Sequence, residues 1–410
     1  MKKIIGITLL AASLVFAMTL TGCSKGDMYL DGPDYSREAA SMPAAVSGDV
    51  ADSDGGVLPS PDGNGGGGQL SSIVTAGEWN DLSNWGFWTS LLNNQDWAGY
   101  ATYWMFYPRN FVYVELVDSF DDPVCGMRVV LEKDGTKVWE TLSDNTGHAV
   151  LWADLYEDSF KVQQDSYTLN INGNKYKDLA FTTPNKSEVA VNKLVVSPFK
   201  VLNAIDVAFI VDATGSMGDE IDFLKADLTA IIDFVGKQCT AKVRTGTVFY
   251  RDEDDDYVTK YSQFSDDVSK TAAFISEQEA AGGGDWPEAV HKALYESIQS
   301  LSWDTHVKSR IAFLILDAPP HKEDGIIASC QKSIALFAQM GIRLIPVSAS
   351  GIDKSTEYLL RSFAMATNGT YVFITNDSGV GDMHIEATVG DYQVEKLQDI
   401  IARLIIAYAK

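Results

Sequence analysis

A chain of 410 residues with 46% hydrophobic side chains is long enough for two or three domains with packed cores. Its formal net charge of −24 repels nucleic-acid phosphates and argues against DNA or RNA as a partner. The same negative field suits a soluble surface and concentrates divalent cations.

Lys2 and Lys3 precede an apolar run over residues 4–20, the order of charge and apolarity found in signal peptides. Leu20-Thr21-Gly22-Cys23 follows and resembles the lipobox of bacterial lipoproteins, in which small residues admit a peptidase that cuts ahead of a lipid-carrying Cys. The resemblance covers the first 23 residues. It implies a signal peptide over 1–22, acyl chains on Cys23, and an extracytoplasmic protein held at a bacterial membrane on its periplasmic face or at the cell surface. Each buried CH₂ of such a chain contributes about 0.8 kcal/mol to anchoring. An ordinary signal peptide or signal anchor that happens to contain a Cys is the alternative. No later apolar run approaches the ~20 residues needed to span a bilayer. Cys125, Cys239 and Cys330 remain, an odd number; Cys239 and Cys330 could pair, or all three could stay free thiols.

Residues 23–72 are rich in Gly, Ser, Asp, Ala and Pro and read as a disordered tether. Residues 73–108 carry Trp79, Trp85, Trp88, Trp97 and Trp104. That density predicts a helical or irregular segment packed onto its neighbour, with an aromatic platform for sugar or peptide as the alternative. Across 109–198, apolar runs at 111–117, 127–132, 137–142, 149–155, 167–171 and 189–196 alternate with Asp134-Gly135, Asn145-Thr146-Gly147 and Asn172-Gly173. Short strands with turn chemistry at this spacing predict a small antiparallel β-sandwich, a spacer or scaffold.

The period changes after residue 200. Apolar strands at 205–211, 311–316, 343–347 and 371–374, with strands at 243–250 and 257–264, alternate with helical patterns at 217–235, 287–301, 329–340 and 392–408. The fold class is therefore α/β, a doubly wound, mostly parallel sheet of Rossmann-like type, preceded by the β-sandwich. Such sheets bind ligands at the carboxyl ends of their central strands.

The unusual residues fall at those ends. Asp212, Thr214 and Ser216 stand at alternate positions of Asp212-Ala213-Thr214-Gly215-Ser216, immediately before a helix. Three oxygen side chains on a tight loop suit a hard cation such as Mg²⁺. The same residue types are good helix caps, and that reading stays open on this fragment alone. A second apolar strand ends in Asp317-Ala318-Pro319-Pro320-His321, and Gly282-Gly283-Gly284-Asp285-Trp286-Pro287-Glu288 precedes a helix.

These three loops resemble the metal-ion-dependent adhesion site of von Willebrand factor A domains, and strand order and closing helix agree over about 200 residues. The resemblance implies one divalent cation, Mg²⁺ before Mn²⁺ or Ca²⁺. It implies direct ligands in the Thr214 and Ser216 hydroxyls, with Asp212 and Asp317 binding through waters or at longer range. Adhesive members supply a Thr from the Gly-rich loop, where this chain has Asp285. The variant, together with Tyr250-Arg251-Asp252, is similar to a subgroup found in bacterial and some extracellular-matrix proteins. A carboxylate in that place tightens the cation and weakens its pull on an acidic partner side chain. Behind these ligands stand Asp252, Arg251, Glu288 and His321. Arg251 could neutralise Asp285 or receive an acidic ligand, or it could form a surface ion pair. Residues 253–256 read as a solvated acidic turn, and His291 as a surface or supporting histidine.

Nucleophile elbow, P-loop and dinucleotide fingerprints are absent from the sequence, and position 214 is Thr where an aspartyl phosphoryl-transfer site needs a second carboxylate. The leading expectation is a surface-tethered, cation-dependent module that holds a protein partner. A structural lipoprotein whose ion merely stiffens the loops comes second, and a metal-dependent hydrolase third.

Overall fold

The computed structural model describes residues 74–198, 200–376 and 385–410. The signal-peptide, Cys23 and tether readings lie outside the described residues.

Strand β1 (Thr75–Trp79) comes first, followed by helices α1 (Trp85–Leu91) and α2 (Gln95–Trp104). Asn94 caps α2 by accepting from the backbone N–H groups of Asp96 and Trp97. All five Trp side chains of this segment are buried, so they form core and not a ligand platform.

Eight short strands follow: β2 (Phe111–Val117), β3 (Arg128–Lys133), β4 (Thr136–Leu142), β5 (His148–Trp152), β6 (Tyr167–Ile171), β7 (Asn174–Tyr176), β8 (Phe181–Thr182) and β9 (Val191–Val195). They make two four-stranded sheets, one in the order β5-β2-β8 with β9 also on β2, the other β4-β3-β6-β7. The pairing is antiparallel except at β2–β9, which is parallel and departs from the wholly antiparallel expectation. The reason is local. Strand β8 covers only Phe111 and Val112, and the chain then reverses so that β9 covers Tyr113 to Val117 in the other sense. The Asn192 amide stitches the reversal by donating to the carbonyls of Tyr113 and Ala180 and accepting from the Ala180 N–H.

The remaining elements are β10 (Leu202–Asp212), α3 (Gly218–Gln238), β11 (Lys242–Tyr250), β12 (Thr259–Ser265), α4 (Val268–Ser276), α5 (Val290–Gln299), β13 (Val307–Leu316), α6 (Asp324–Gln339), β14 (Ile342–Ser348), α7 (Lys354–Ala366), β15 (Tyr371–Ile374), β16 (Glu395–Lys396) and α8 (Leu397–Ala409). The sheet order is β12-β11-β10-β13-β14-β15-β1-β16. Strands β11, β10, β13, β14 and β15 run parallel, and β12 and β1 are antiparallel to their neighbours. Both faces of the sheet are covered, which is why the central strands read as unbroken apolar runs.

Alternate residues feed two cores. Val207, Phe209, Val211, Ile311, Phe313 and Ile315 pack with α3 and α8 on one face. Ala208, Ile210, Ala312, Leu314 and Leu316 join a core on the other face that continues through the Trp-rich segment into both small sheets. Arg361 of α7 is the hinge of that continuity. Its guanidinium forks onto Asp81 at 2.6 and 2.9 Å, reaches Glu357 at 3.1 Å, and lies 5.2 and 4.9 Å from the rings of Trp88 and Trp97.

Cys125, Cys239 and Cys330 are free thiols, so the pairing of Cys239 with Cys330 does not occur. Among the described residues no helix is long and apolar enough to cross a membrane.

Candidate metal centre

Asp212 is the last residue of β10, and Asp317 directly follows β13, its parallel neighbour. The two carboxylates therefore emerge side by side at the carboxyl end of the sheet. Asp212 is wholly buried, and its Oδ1 accepts from the Thr214 N–H at 2.9 Å and the Thr214 hydroxyl at 2.7 Å. Thr214 is buried; Ser216 is exposed at the mouth. The helix-capping alternative fails here. Neither the 3₁₀ turn at Gly215–Met217 nor α3 receives a side-chain cap, so the loop's oxygens are not committed to the helix end.

Two further loops brace this one. The Gly215 N–H donates to the Gly282 carbonyl at 3.2 Å, and the Ala281 N–H to the Ala213 carbonyl at 3.0 Å. Gly282 and Gly283 take φ of +80° and +77°, and a Cβ on Gly282 would lie 2.1 Å from Asp255 Oδ1. The glycines are thus required twice, by backbone hand and by space. Asp255 Oδ2 accepts from the N–H groups of Gly283 (2.9 Å) and Asp252 (3.1 Å). Arg251 is buried, donates to the carbonyls of Ala213 (3.1 Å) and Glu279 (2.8 Å), and stacks 4.5 Å from the Tyr257 ring. Nε and Nη2 are turned to loop carbonyls and no ion pair to Asp285 is among the described contacts, so Arg251 braces the loops where the sequence suggested a partner for Asp285.

Five buried carboxyl groups crowd this end of the sheet, Asp212, Asp252, Asp317, Glu288 and Glu220. Five of their oxygens have no hydrogen-bond partner: Asp212 Oδ2, Asp317 Oδ1, Glu288 Oε2 and both of Glu220. Burial first, and then the Asp317 charge, pushes Asp212 up to about 7. Burial, then Asp317 and its acidic neighbours, pushes Glu220 to about 7. Burial, then Asp212 and Asp252, pushes Glu288 to about 9. Asp317 is also raised by burial, although a hydrogen bond from the Ser216 hydroxyl pulls the other way. Opposite Asp212 in the register, the buried Tyr250 phenol is held well above its ordinary value by burial and by Asp212 and Asp317. Orphaned oxygens of this kind are costly unless a cation meets them. The donor set is all oxygen, hydroxyl and carboxylate, and it fits a hard divalent ion. Thr214, Ser216, Asp212 and Asp317 are the residues that could hold it, with Asp285 on the Gly-rich loop beside them.

Glu220 is the member that sequence reasoning missed. Gly218-Asp219-Glu220 reads as an ordinary acidic first turn. The usable signal was spacing: Glu220 stands four and eight residues before Leu224 and Leu228, on the buried stripe of α3.

The remaining residues gather beside this set. Asp285 is exposed on the Gly-rich loop, and its carboxylate lies with Asp252 Oδ and a His321 ring nitrogen in a group whose ligand atoms are all within 4.8 Å of one another. His321 Nε2 is 2.9 Å from Asp252 Oδ1. His291 is buried, not superficial, with Nε2 3.1 Å from Glu253. The acidic turn at 253–256 is accordingly built into the structure through Glu253 and Asp255.

Residues 206–376 match the family model described as von Willebrand factor A domain. An alpha-protein kinase, vwkA, of Dictyostelium discoideum is 31% identical over 132 residues, 32% of this chain and 21% of the kinase. An ariadne-like RING finger protein of Acanthamoeba polyphaga mimivirus is 32% identical over 118 residues, 28% of this chain and 11% of that protein. The chain thus spans about a fifth or less of the curated relatives it matches. Among solved structures, protein BatB from Bacteroides thetaiotaomicron aligns with TM-score 0.34 and 13% identity over 50% of this chain and 99% of that one. Proximal thread matrix protein 1 of the mussel byssus aligns with TM-score 0.35 and 15% identity over 51% and 47%. Over residues 206–376 the doubly wound sheet with its acidic loops is thus similar to a von Willebrand factor A domain.

Proposed function

We propose that this chain is a lipid-anchored, extracytoplasmic protein whose von Willebrand factor A domain binds a divalent cation, Mg²⁺ before Mn²⁺ or Ca²⁺, and uses that site to hold a protein partner. Catalysis is not part of the reading. The observation that carries it is the set of five unpartnered carboxyl oxygens buried at the ends of β10 and β13. When bound, the ion would supply positive charge and an open coordination position at the mouth. Thr214 and Ser216 would present hydroxyls to it, Asp212 and Asp317 would neutralise it, and Glu220 and Glu288 would add charge from behind. Ser216, Asp285 and Trp286 are exposed around that mouth, and an exposed Trp beside a charged site suits a protein contact. Membrane attachment rests on the Cys23 motif. The kinase in one relative's name describes a protein of which this chain covers 21%, and no phosphoryl transfer is drawn from it.

One observation favours a second reading, in which the ion only stiffens the loops. Asp212, Glu220 and Glu288 are almost wholly buried, so much of the charge faces inward.

The test is calorimetric titration of the chelator-stripped full chain with Mg²⁺, Mn²⁺ and Ca²⁺, beside a variant carrying both Thr214→Ala and Ser216→Ala. One hard-cation site that weakens at least tenfold in the variant is expected. Absence of any hard-cation uptake by the parent chain sinks the proposal. Equal melting temperatures with lost capture of extracellular proteins would favour partner binding; a lowered melting temperature with capture unchanged would favour the stiffening role.

A further inference from the structure

We propose that Asp252, Asp285 and His321 form a second cation site, distinct from the all-oxygen set around Asp212 and Asp317 and suited to a borderline transition ion such as Zn²⁺. It draws on different ligands, so it stands or falls independently of the hard-cation reading.

Spacing is the first argument. One ligand atom from each residue lies within 4.8 Å of the other two. Ligands about 2.0–2.2 Å from a tetrahedral ion sit roughly 3.3–3.5 Å apart. His321 Nε2 and Asp252 Oδ1 are hydrogen-bonded at 2.9 Å, and an ion would take the place of that proton with the pair opening by a few tenths of an ångström. Asp285, within 4.8 Å of both, is the ligand left to close in, and it follows three consecutive glycines that let its loop adjust. The other two ligands are preset. Asp252 is fixed through its N–H to Asp255 Oδ2. His321 follows Pro319-Pro320, and that segment is pinned by the Glu288 N–H to the Pro319 carbonyl at 2.9 Å and by the Glu288–Pro320 bridge.

Glu288, already counted among the orphaned carboxyls, is the second observation. Its side chain is only 3% exposed, and its Oε2 has no partner. Its Oε1 lies 3.0 Å from where a Gly283 Cβ would stand, which presses the carboxyl against the loop that carries Asp285. Asp212 is the first charge acting on it, Asp252 the next, then Asp317 and Asp255. A buried carboxyl oxygen without a partner, pressed against the loop that carries Asp285, is left open to a cation there. His291, also buried with an unpartnered Nδ1, stands close enough for His321 to act on it. Ligand chemistry then separates the two sites. Hydroxyl and carboxylate oxygens suit Mg²⁺, whereas an imidazole nitrogen with two carboxylates suits Zn²⁺ or Co²⁺.

The experiment is titration of the chelator-stripped full chain with Zn²⁺ in saturating Mg²⁺, by calorimetry, and with Co²⁺, by visible absorption. The expected result is one Zn²⁺ taken up alongside Mg²⁺. His321→Ala should weaken Zn²⁺ at least tenfold and remove the nitrogen-dependent Co²⁺ band with Mg²⁺ uptake unchanged. Asp285→Asn, on an exposed residue, should weaken the same event, and Asp317→Ala should lose Mg²⁺ and keep Zn²⁺. Displacement of Mg²⁺ by Zn²⁺ one for one would overturn the proposal, as would Zn²⁺ binding unaltered in both His321→Ala and Asp285→Asn. Zn²⁺ uptake through His321 in a chain that takes no Mg²⁺ would support this site and refute the first one.

Discussion

At the scale of the residue, the decisive feature is acid held out of water. Asp212 and Glu220 are pushed up to about 7 and Glu288 to about 9, against an ordinary carboxylate range near 4. A carboxyl raised in the folded state favours folding when it is protonated. That contribution is complete below the unfolded value and is lost as pH rises through the folded value. The cation-free chain should therefore lose stability from about pH 5 to about pH 9, through Asp212 and Glu220 first and Glu288 last. A divalent ion pairs with the charged forms, so saturating Mg²⁺ should flatten the decline, and uptake should release protons and tighten with pH. Scanning calorimetry across that window, in chelator and in Mg²⁺, checks this; a melting temperature that climbs with pH in chelator would refute it. The loop residues Asp212, Thr214, Ser216 and Asp317 were legible because strand-end acids and hydroxyls stand out against apolar runs. Arg251 was legible as present and not as a brace, since its partners are backbone carbonyls, which no side-chain pattern records.

At the scale of the element, the site is a clasp between loops, and Gly282 is its tightest point. A Cβ there meets Asp255 at 2.1 Å and must adopt a positive φ, at a cost of about 1–3 kcal/mol. Moving Asp255 also frees the N–H groups of Gly283 and Asp252. Gly282→Ala should lower cation affinity tenfold or more while the melting temperature drops by only a few degrees, read by calorimetry and thermal melting; unchanged affinity would show that the clasp does not set the ion's geometry. Elements with one drier face were readable from their period, β2 and β6 among them, and β15 as an unbroken apolar run; all three coincide with the observed strands. Helix α7 was not read from the sequence: its polar side, with Glu357, Arg361 and Ser362, is buried against the Trp-rich segment and not turned to water. Strands β7 and β8, three and two residues long, are too short to show alternation.

At the scale of the whole molecule, the Trp-rich segment, the two small sheets and one face of the large sheet share a continuous core. Strand β1 lies inside the large sheet, between β15 and β16. The sequence showed the Trp cluster but not this placement, because pairing between distant segments leaves no local period. A fragment comprising 200–410 would expose the β15 edge and the apolar face under Arg361. It should fail to unfold cooperatively, whereas a chain retaining 74–198 should melt in a single transition. Circular dichroism and size-exclusion chromatography decide the matter, and a monomeric, cooperatively melting 200–410 fragment would break the shared-core account.

The position of β1 also sets a clock. Its partners on β15 lie about 300 positions later in the chain. At a synthesis rate of about 5–20 residues per second, β1 waits roughly 15–60 s before the strand that receives it has been made. Through that interval the Trp residues behind it can already meet early partners such as Phe111, while the β1 edge itself stays unpaired. The large sheet closes only when the last few dozen residues arrive.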